Sequence, residues 1–367
     1  MNYDFAIRFT TAAAMAGALL MPAAASAQTT QKLTANKTND YGLVYALPLT
    51  AVDVTIEAER TVKRPGEFFR YSGKHLNIDP VTADQESWVI KSVTITSHGV
   101  ADSEQQYMIQ FKSGSTPFML LDSNGFPITI NADDYVLPPK PALPVSQEAK
   151  PTILETPAAQ SALTEEMVQS KSSAKRAELA AAKIFELRQS RNDIISGQAD
   201  QMPSDGKAMQ LALDNISLQE EALTAMFTGT SQVSTEVSTF TIIPEGSDRL
   251  KMVIGRLSQT EGLVDADDLS GEPIYIEITA TRTGEYPVNE RGEERKAPKG
   301  GLAYNIPGEA CVNVIFDGKV LASDNVELAQ SGVVFALEPG LFSDKRAPAY
   351  AIFDPATGAL KELGTKE

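Results

Sequence analysis

The chain has 367 residues, a formal net charge of -16 at pH 7, 7% aromatic residues, two histidines and one cysteine. A surface this acidic repels phosphate backbones and anionic headgroups, so nucleic acid is excluded as a partner. A single cysteine rules out an internal disulfide, and stability must come from apolar cores, which a chain of this length can build.

Residues 1–27 read as an export leader. Asp4 and Arg8 open it, the stretch Phe9 to Met21 is apolar, and Ala25-Ser26-Ala27 is a small-residue cleavage signature before Gln28. A cut after Ala27 predicts a periplasmic or secreted protein, away from ATP and nicotinamide cofactors, and no cofactor is expected. The leader's apolar part is too short to span a bilayer, and no later run approaches about 18 apolar residues, so no transmembrane segment is expected. Position 28 is Gln rather than Cys, which argues against a lipid anchor.

From Tyr41 to Asn131 the chain alternates as half-buried strands do. Val52, Val54, Ile56 and Ala58 share one face, and Asp53, Thr55, Glu57 and Glu59 the other. The same period runs through Trp88 to Ser97 and through Tyr107, Ile109 and Phe111, while Gly66 to Ile78 breaks it and predicts a short helix. Asn124-Gly125 is a turn signal, because both residues tolerate positive φ. Trp88 is expected in the core.

Six prolines between Leu137 and Ala158 make that stretch a connector without a helix or a central strand. Thr164-Glu165-Glu166 predicts a helix start running to about Ile195. Ala177, Ala181, Ile184, Arg188, Arg191 and Ile195 recur at helical spacing, as do Met209, Leu213, Ile216, Glu220, Leu223 and Phe227. Gln198 to Gly206 separates the two runs, which predicts a helical hairpin. From Thr235 the strand pattern returns, with Asp317-Gly318 as a hairpin turn and Asp354 to Gly358 as a chain reversal.

The expected fold class is α+β, mainly β, with two antiparallel β-sandwich-like domains and an intervening α-helical hairpin. The expected boundaries are a signal peptide over 1–27, an N-terminal β domain over 28–136, a Pro-rich linker over 137–160, the hairpin over 161–229 and a C-terminal β domain over 230–367.

Chemical signatures are sparse. His75 and His98 have no second ligand at metal spacing, so no metal site is expected; His98, before Gly99, reads as a turn residue at a strand end. Cys311 reads as a small buried apolar residue. Ser172 to Lys175 and Ser204 to Lys207 match Ser-x-x-Lys, and Lys112-Ser113-Gly114 resembles a strand motif of penicillin-binding serine enzymes. The order is reversed relative to those enzymes and their middle motif is missing, so no catalytic residue is assigned. Asp265-Ala266-Asp267-Asp268 lacks the glycine and terminal glutamate of a calcium loop. His75 lies near Phe68, Phe69 and Tyr71, and these four form a candidate recognition patch for a ligand.

Four segments together resemble an uncharacterised family of exported Bacteroidetes proteins catalogued as domain of unknown function number 4831. They are Tyr41 to Pro48, Gly66 to Tyr71, Tyr107 to Gly114 and Phe353 to Leu360. Tyr304-Asn305-Ile306-Pro307-Gly308 resembles that family too, with Asn305 near a position where a basic residue is expected, and Tyr304 joins the candidate binding residues. The resemblance implies an envelope-exported protein with a β-rich body and carries no activity. The expectation is a non-enzymatic protein that binds or scaffolds another envelope protein or glycan. A carboxylate-dependent hydrolase acting on glycan or peptide is the competing expectation.

Overall fold

The computed structural model describes residues 28–32, 42–111, 118–132, 134–202, 205–246, 248–338, 340–342 and 348–365. The expected leader, Tyr41, Lys112-Ser113-Gly114 and Ser204 lie outside the described residues. Strands β1 (Gln28–Lys32), β2 (Leu43–Arg64), β3 (Gln85–Phe111), β4 (Met119–Leu121) and β5 (Pro127–Ile130) come first, with α1 (Ser72–His75) between β2 and β3. Helices α2 (Pro157–Ser161), α3 (Glu165–Gln169), α4 (Ser173–Ser196) and α5 (Gly206–Thr228) follow. Then come β6 (Thr230–Ile242), β7 (Arg249–Ser258), β8 (Gly262–Val264), β9 (Glu272–Arg282), β10 (Leu302–Phe316), β11 (Lys319–Leu337), β12 (Ala349–Phe353) and β13 (Leu360–Thr365).

The molecule is mainly β, and its described residues form three antiparallel sheets ordered β1-β3-β2-β6, β11-β10-β9-β7-β8 and β13-β12-β5-β4. The alternation in β2 sends Val52, Val54, Ile56 and Ala58 into a core against Ile274, Ile276 and Ile278 of β9 and Val312 and Val314 of β10. A fully buried Val or Ile contributes about 1.5–3 kcal/mol, so this two-sheet interface is a large source of apolar stabilisation. Trp88 belongs to the same core, as expected. Pro48 is accommodated within β2 because the ladder to β3 shifts register between Ala46 and Pro48.

Two separate β domains were expected over 28–136 and 230–367, and the strand pairing differs. β2 pairs with β6 from Arg64↔Thr230 to Val52↔Ile242, and β5 pairs with β12. A second core joins Tyr45, Leu47, Ile109 and Ile130 to Leu302, Leu337, Ala351 and Phe353. Both β segments therefore build the same cores. Period-two patterning reports which face of a strand is buried; it carries no information on which strand lies beside it.

The helices form a layer of their own. Ala177, Ala181, Ile184 and Leu187 of α4 and Leu223 and Phe227 of α5 bury together with Phe68, Ala162 and Met167. The helix expected to start at Thr164 divides in two, because Ser170 is extended and Ser172 caps α4 by accepting the Lys175 N–H at 3.4 Å. The first Ser-x-x-Lys match is thus a helix cap. Gly197, at φ 74°, ends α4 in the left-handed region, and the Asp205 carboxylate caps α5 through the N–H groups of Lys207 and Ala208.

Asn124-Gly125 and Asp317-Gly318 turn the chain as expected, with φ 83° at Gly125 and 48° and 69° at Asp317 and Gly318. Two expectations are corrected. Cys311 is half-buried on the outer face of β10, beside Asn313 and Ser323, since the alternating Ala310 and Val312 take the core face. His98 lies inside β3 rather than at its end. Gly99 continues the strand there, and its missing side chain lets the Pro355 carbonyl sit where a Cβ would meet it at 2.3 Å.

Candidate functional site

The residues proposed from sequence fall in two places. Phe68 is fully buried, its ring centroid 5.4 Å from that of Phe227, with the Arg176 guanidinium 5.6 Å above it. His75 lies 6.4 Å from Tyr71 and 6.5 Å from Phe227. Gly66 admits the end of α5 so closely that a Cβ there would meet the Met226 carbonyl oxygen at 2.3 Å, and the Phe68 N–H donates to that oxygen at 2.7 Å. Phe68, Tyr71 and His75 are thus packing between the β2–β3 connection and α5. Phe69 is half-buried, with Arg70 against its ring at 5.5 Å. Tyr304 belongs to the other core, edge-on to Phe335 at 6.2 Å, and burial pushes its hydroxyl above the usual tyrosine range.

Three of the segments that carry the family resemblance meet at one buried junction. The Asn305 amide donates to the carbonyls of Pro48 at 3.1 Å and Thr357 at 2.7 Å, and its backbone N–H donates to Gly358 at 3.0 Å. Close by, Thr50 Oγ1 donates to the Ala356 carbonyl and accepts the Ala329 N–H, while Gln330 receives the Thr50 N–H and donates to the Thr50 and Pro244 carbonyls. These polar groups satisfy backbone atoms that burial would otherwise leave unpaired. The junction is structural.

A groove of about 860 Å³ is bounded by the connector, α4, α5 and the start of β6. That volume lies within the range of ligand pockets, about 300–1,000 Å³. Each wall has a local cause. The connector follows the free edge of β6: Gln147 and Thr235 exchange N–H···O bonds of 2.9 Å, the Val237 N–H donates to Ser146 Oγ, and the Gln232 amide donates to the Lys150 carbonyl. Connector and strand thus meet over one backbone bridge, beyond which the Gln232 side chain still holds the connector at Lys150. The Thr152 N–H is taken by the Glu155 carboxylate in a capping box, and a 3-10 turn follows at Ile153–Glu155.

On the helical wall two guanidinium groups share one carboxylate. Arg188 Nε and Arg191 Nη1 each donate to an oxygen of Glu220 at 2.6 Å. The Glu220 side chain is 12% exposed, against 42% and 35% for Arg188 and Arg191. Ser217, Glu221 and Thr224 of α5 and Ser231, Gln232 and Val233 of β6 complete the lining, with Glu148 and Lys150 from the connector. Along a strand, alternate residues present their N–H and C=O to the same edge. Thr235 faces the connector, and the β2–β6 ladder runs without a register shift, so Ser231 and Val233 face it too. Among the described residues nothing pairs with those outward groups.

In the sequence Arg188, Arg191 and Glu220 stand at ordinary positions of the helical repeats, with no motif that marks them as a site. The available signal was charge at repeat positions otherwise filled by Ala, Ile, Leu, Met and Phe, on both helices.

Two further arrangements carry chemistry. Glu236 lies on the interior side of β6, against Gly262 and the Trp88 ring; burial pushes its carboxyl above the usual range, and the Leu263 backbone N–H partly opposes that shift. On the outer face of the same sheet, Asp53 bonds His98 Nδ1 and Thr241 Oγ1, both at 2.6 Å. The acidic run at Asp265 is a turn in which the Ser270 N–H holds the Asp268 carboxyl below its usual range. Among the described residues no group of three or more His, Cys, Asp or Glu side chains is placed to hold a metal ion. Among them, too, no helix is long and apolar enough to cross a membrane.

No curated protein and no solved structure matches the chain. A family model does match, over residues 41–361. With the match spanning the segments that meet at the Asn305 junction and every wall of the groove, the chain belongs to the family described as Domain of unknown function (DUF4831).

Proposed function

We propose that this chain is a non-enzymatic protein of the cell envelope, exported by its first 27 residues, that binds another envelope protein in the groove between β6, α4, α5 and the connector. The observation that carries this reading is a stretch of strand edge, at Ser231 and Val233, that has no partner among the described residues and lies on the floor of a polar groove with two half-exposed arginines on its wall. Such an edge is a template for pairing with another chain. The leader signature supports the location. The test is a photo-activated cross-linking residue placed at Gln232 in living cells, compared with one at Asp317 on the β10–β11 tip. A discrete light-dependent adduct at Gln232 and none at Asp317 is expected; equal labelling from both positions contradicts the reading.

A carboxylate-dependent hydrolase is the second reading, favoured by Glu236 alone, since a carboxyl that burial beside an indole raises above its usual range is shifted in the direction general acid work needs. Turnover of a glycan or peptide substrate that is lost in Glu236→Gln would establish it in place of the first.

A further inference from the structure

Resting on the groove reading above, we propose that the occupant is an extended polypeptide segment that adds as a strand to β6 at Ser231 and Val233, and that an acidic side chain of that segment is held by Arg188 and Arg191. The chain's own connector cannot fill the place. Its antiparallel bridge pairs Gln147 with Thr235, so continuing the same register would set residue 149 opposite Val233 and Pro151 opposite Ser231. Pro151 has no N–H to give, the Lys150 carbonyl is already bonded by Gln232, and the Thr152 N–H is committed to Glu155. The connector therefore stops pairing after one residue, and two outward N–H and two outward C=O groups on the groove floor have no partner among the described residues. Strand addition satisfies that geometry, because main-chain bonds give affinity while alternate side chains reach the walls.

The side-chain preference follows from donor arithmetic at the wall. A guanidinium carries five N–H donors in a rigid fork and binds carboxylates two bonds at a time. Arg188 commits its Nε and Arg191 its Nη1 to Glu220, which leaves the remaining forks of both for a second carboxylate. Glu148, Glu221 and Lys150 also line the groove, so its formal charge is balanced. The selection then comes from those forks and not from net charge.

The probe is a positional-scanning library of N-acetylated, C-amidated nonapeptides rich in Val and Thr, with Glu, Gln or Lys at each position in turn, read by fluorescence polarisation against the full chain. Peptides with Glu at one fixed position are expected to bind at least tenfold tighter than their Gln counterparts, and Arg191→Gln should erase that difference. Val233→Pro removes an N–H that faces away from β2 and should weaken binding at least tenfold with the thermal transition unchanged. Peptides N-methylated at alternate residues give the same test if that variant does not fold. Undiminished binding to Val233→Pro or by N-methylated peptides overturns strand addition, and equal binding of Glu and Gln peptides overturns the carboxylate assignment. If no peptide binds while Gln232 still cross-links in cells, this proposal fails and the groove reading stands. Loss of the Gln232 cross-link removes the reading on which it rests.

Discussion

Asn305 shows how one side chain joins distant parts of the chain, since its amide bonds carbonyls from β2 and from the turn before β13. Asn305→Ala leaves both acceptors buried and unpaired, at about 1–3 kcal/mol each. We expect a loss of about 2–4 kcal/mol in urea unfolding; a loss below the error of the measurement would show the junction to be dispensable. Glu236 gives a prediction with a sign in pH. Its folded carboxyl titrates above the unfolded value because of burial, so the folded state binds the proton more tightly. Its contribution is favourable below the unfolded pKa and is lost as pH rises through the folded one. Glu236→Gln keeps an acceptor for the Leu263 N–H, so the variant should melt higher than the parent at pH 7, with the gap closing towards pH 4. A constant gap would place the cause elsewhere.

At the scale of elements, the helical layer has an apolar cluster distinct from those between the sheets. Ile184 is fully buried in it, and Ile184→Ala should cost about 2–5 kcal/mol. Hydrogen exchange should then speed up across α4 and α5 while β2 and β3 keep their protection, as expected of a unit able to open locally. Equal acceleration in all four would mean that the layer and the sheets unfold as one. Much at this scale was legible in sequence. The alternation at Val52 to Ala58, the turns at Asn124-Gly125 and Asp317-Gly318, and the apolar repeats ending at Ile184 and Phe227 all reflect local chemistry. The division at Ser170 to Ser172 was missed because serine both tolerates a helix and caps one. Of the site, only the residue types were legible: Arg188, Arg191 and Glu220 stood in helical repeats, but the strand edge they face is set by long-range pairing of β2 with β6.

For the whole molecule, that pairing is the decisive feature. It places the connector on the outer edge of β6 and the end of α5 beside the start of the same strand, so the groove exists only where the two β segments share a sheet. Two independent sandwiches joined by a linker would have no such wall. A protease site inserted between Lys140 and Pro141, in an exposed part of the connector, separates the first β segment from the rest covalently. After complete cleavage, native size-exclusion chromatography should return one particle containing both fragments, which part only in denaturant. Two folded fragments eluting apart would contradict a shared sheet, and with it the groove.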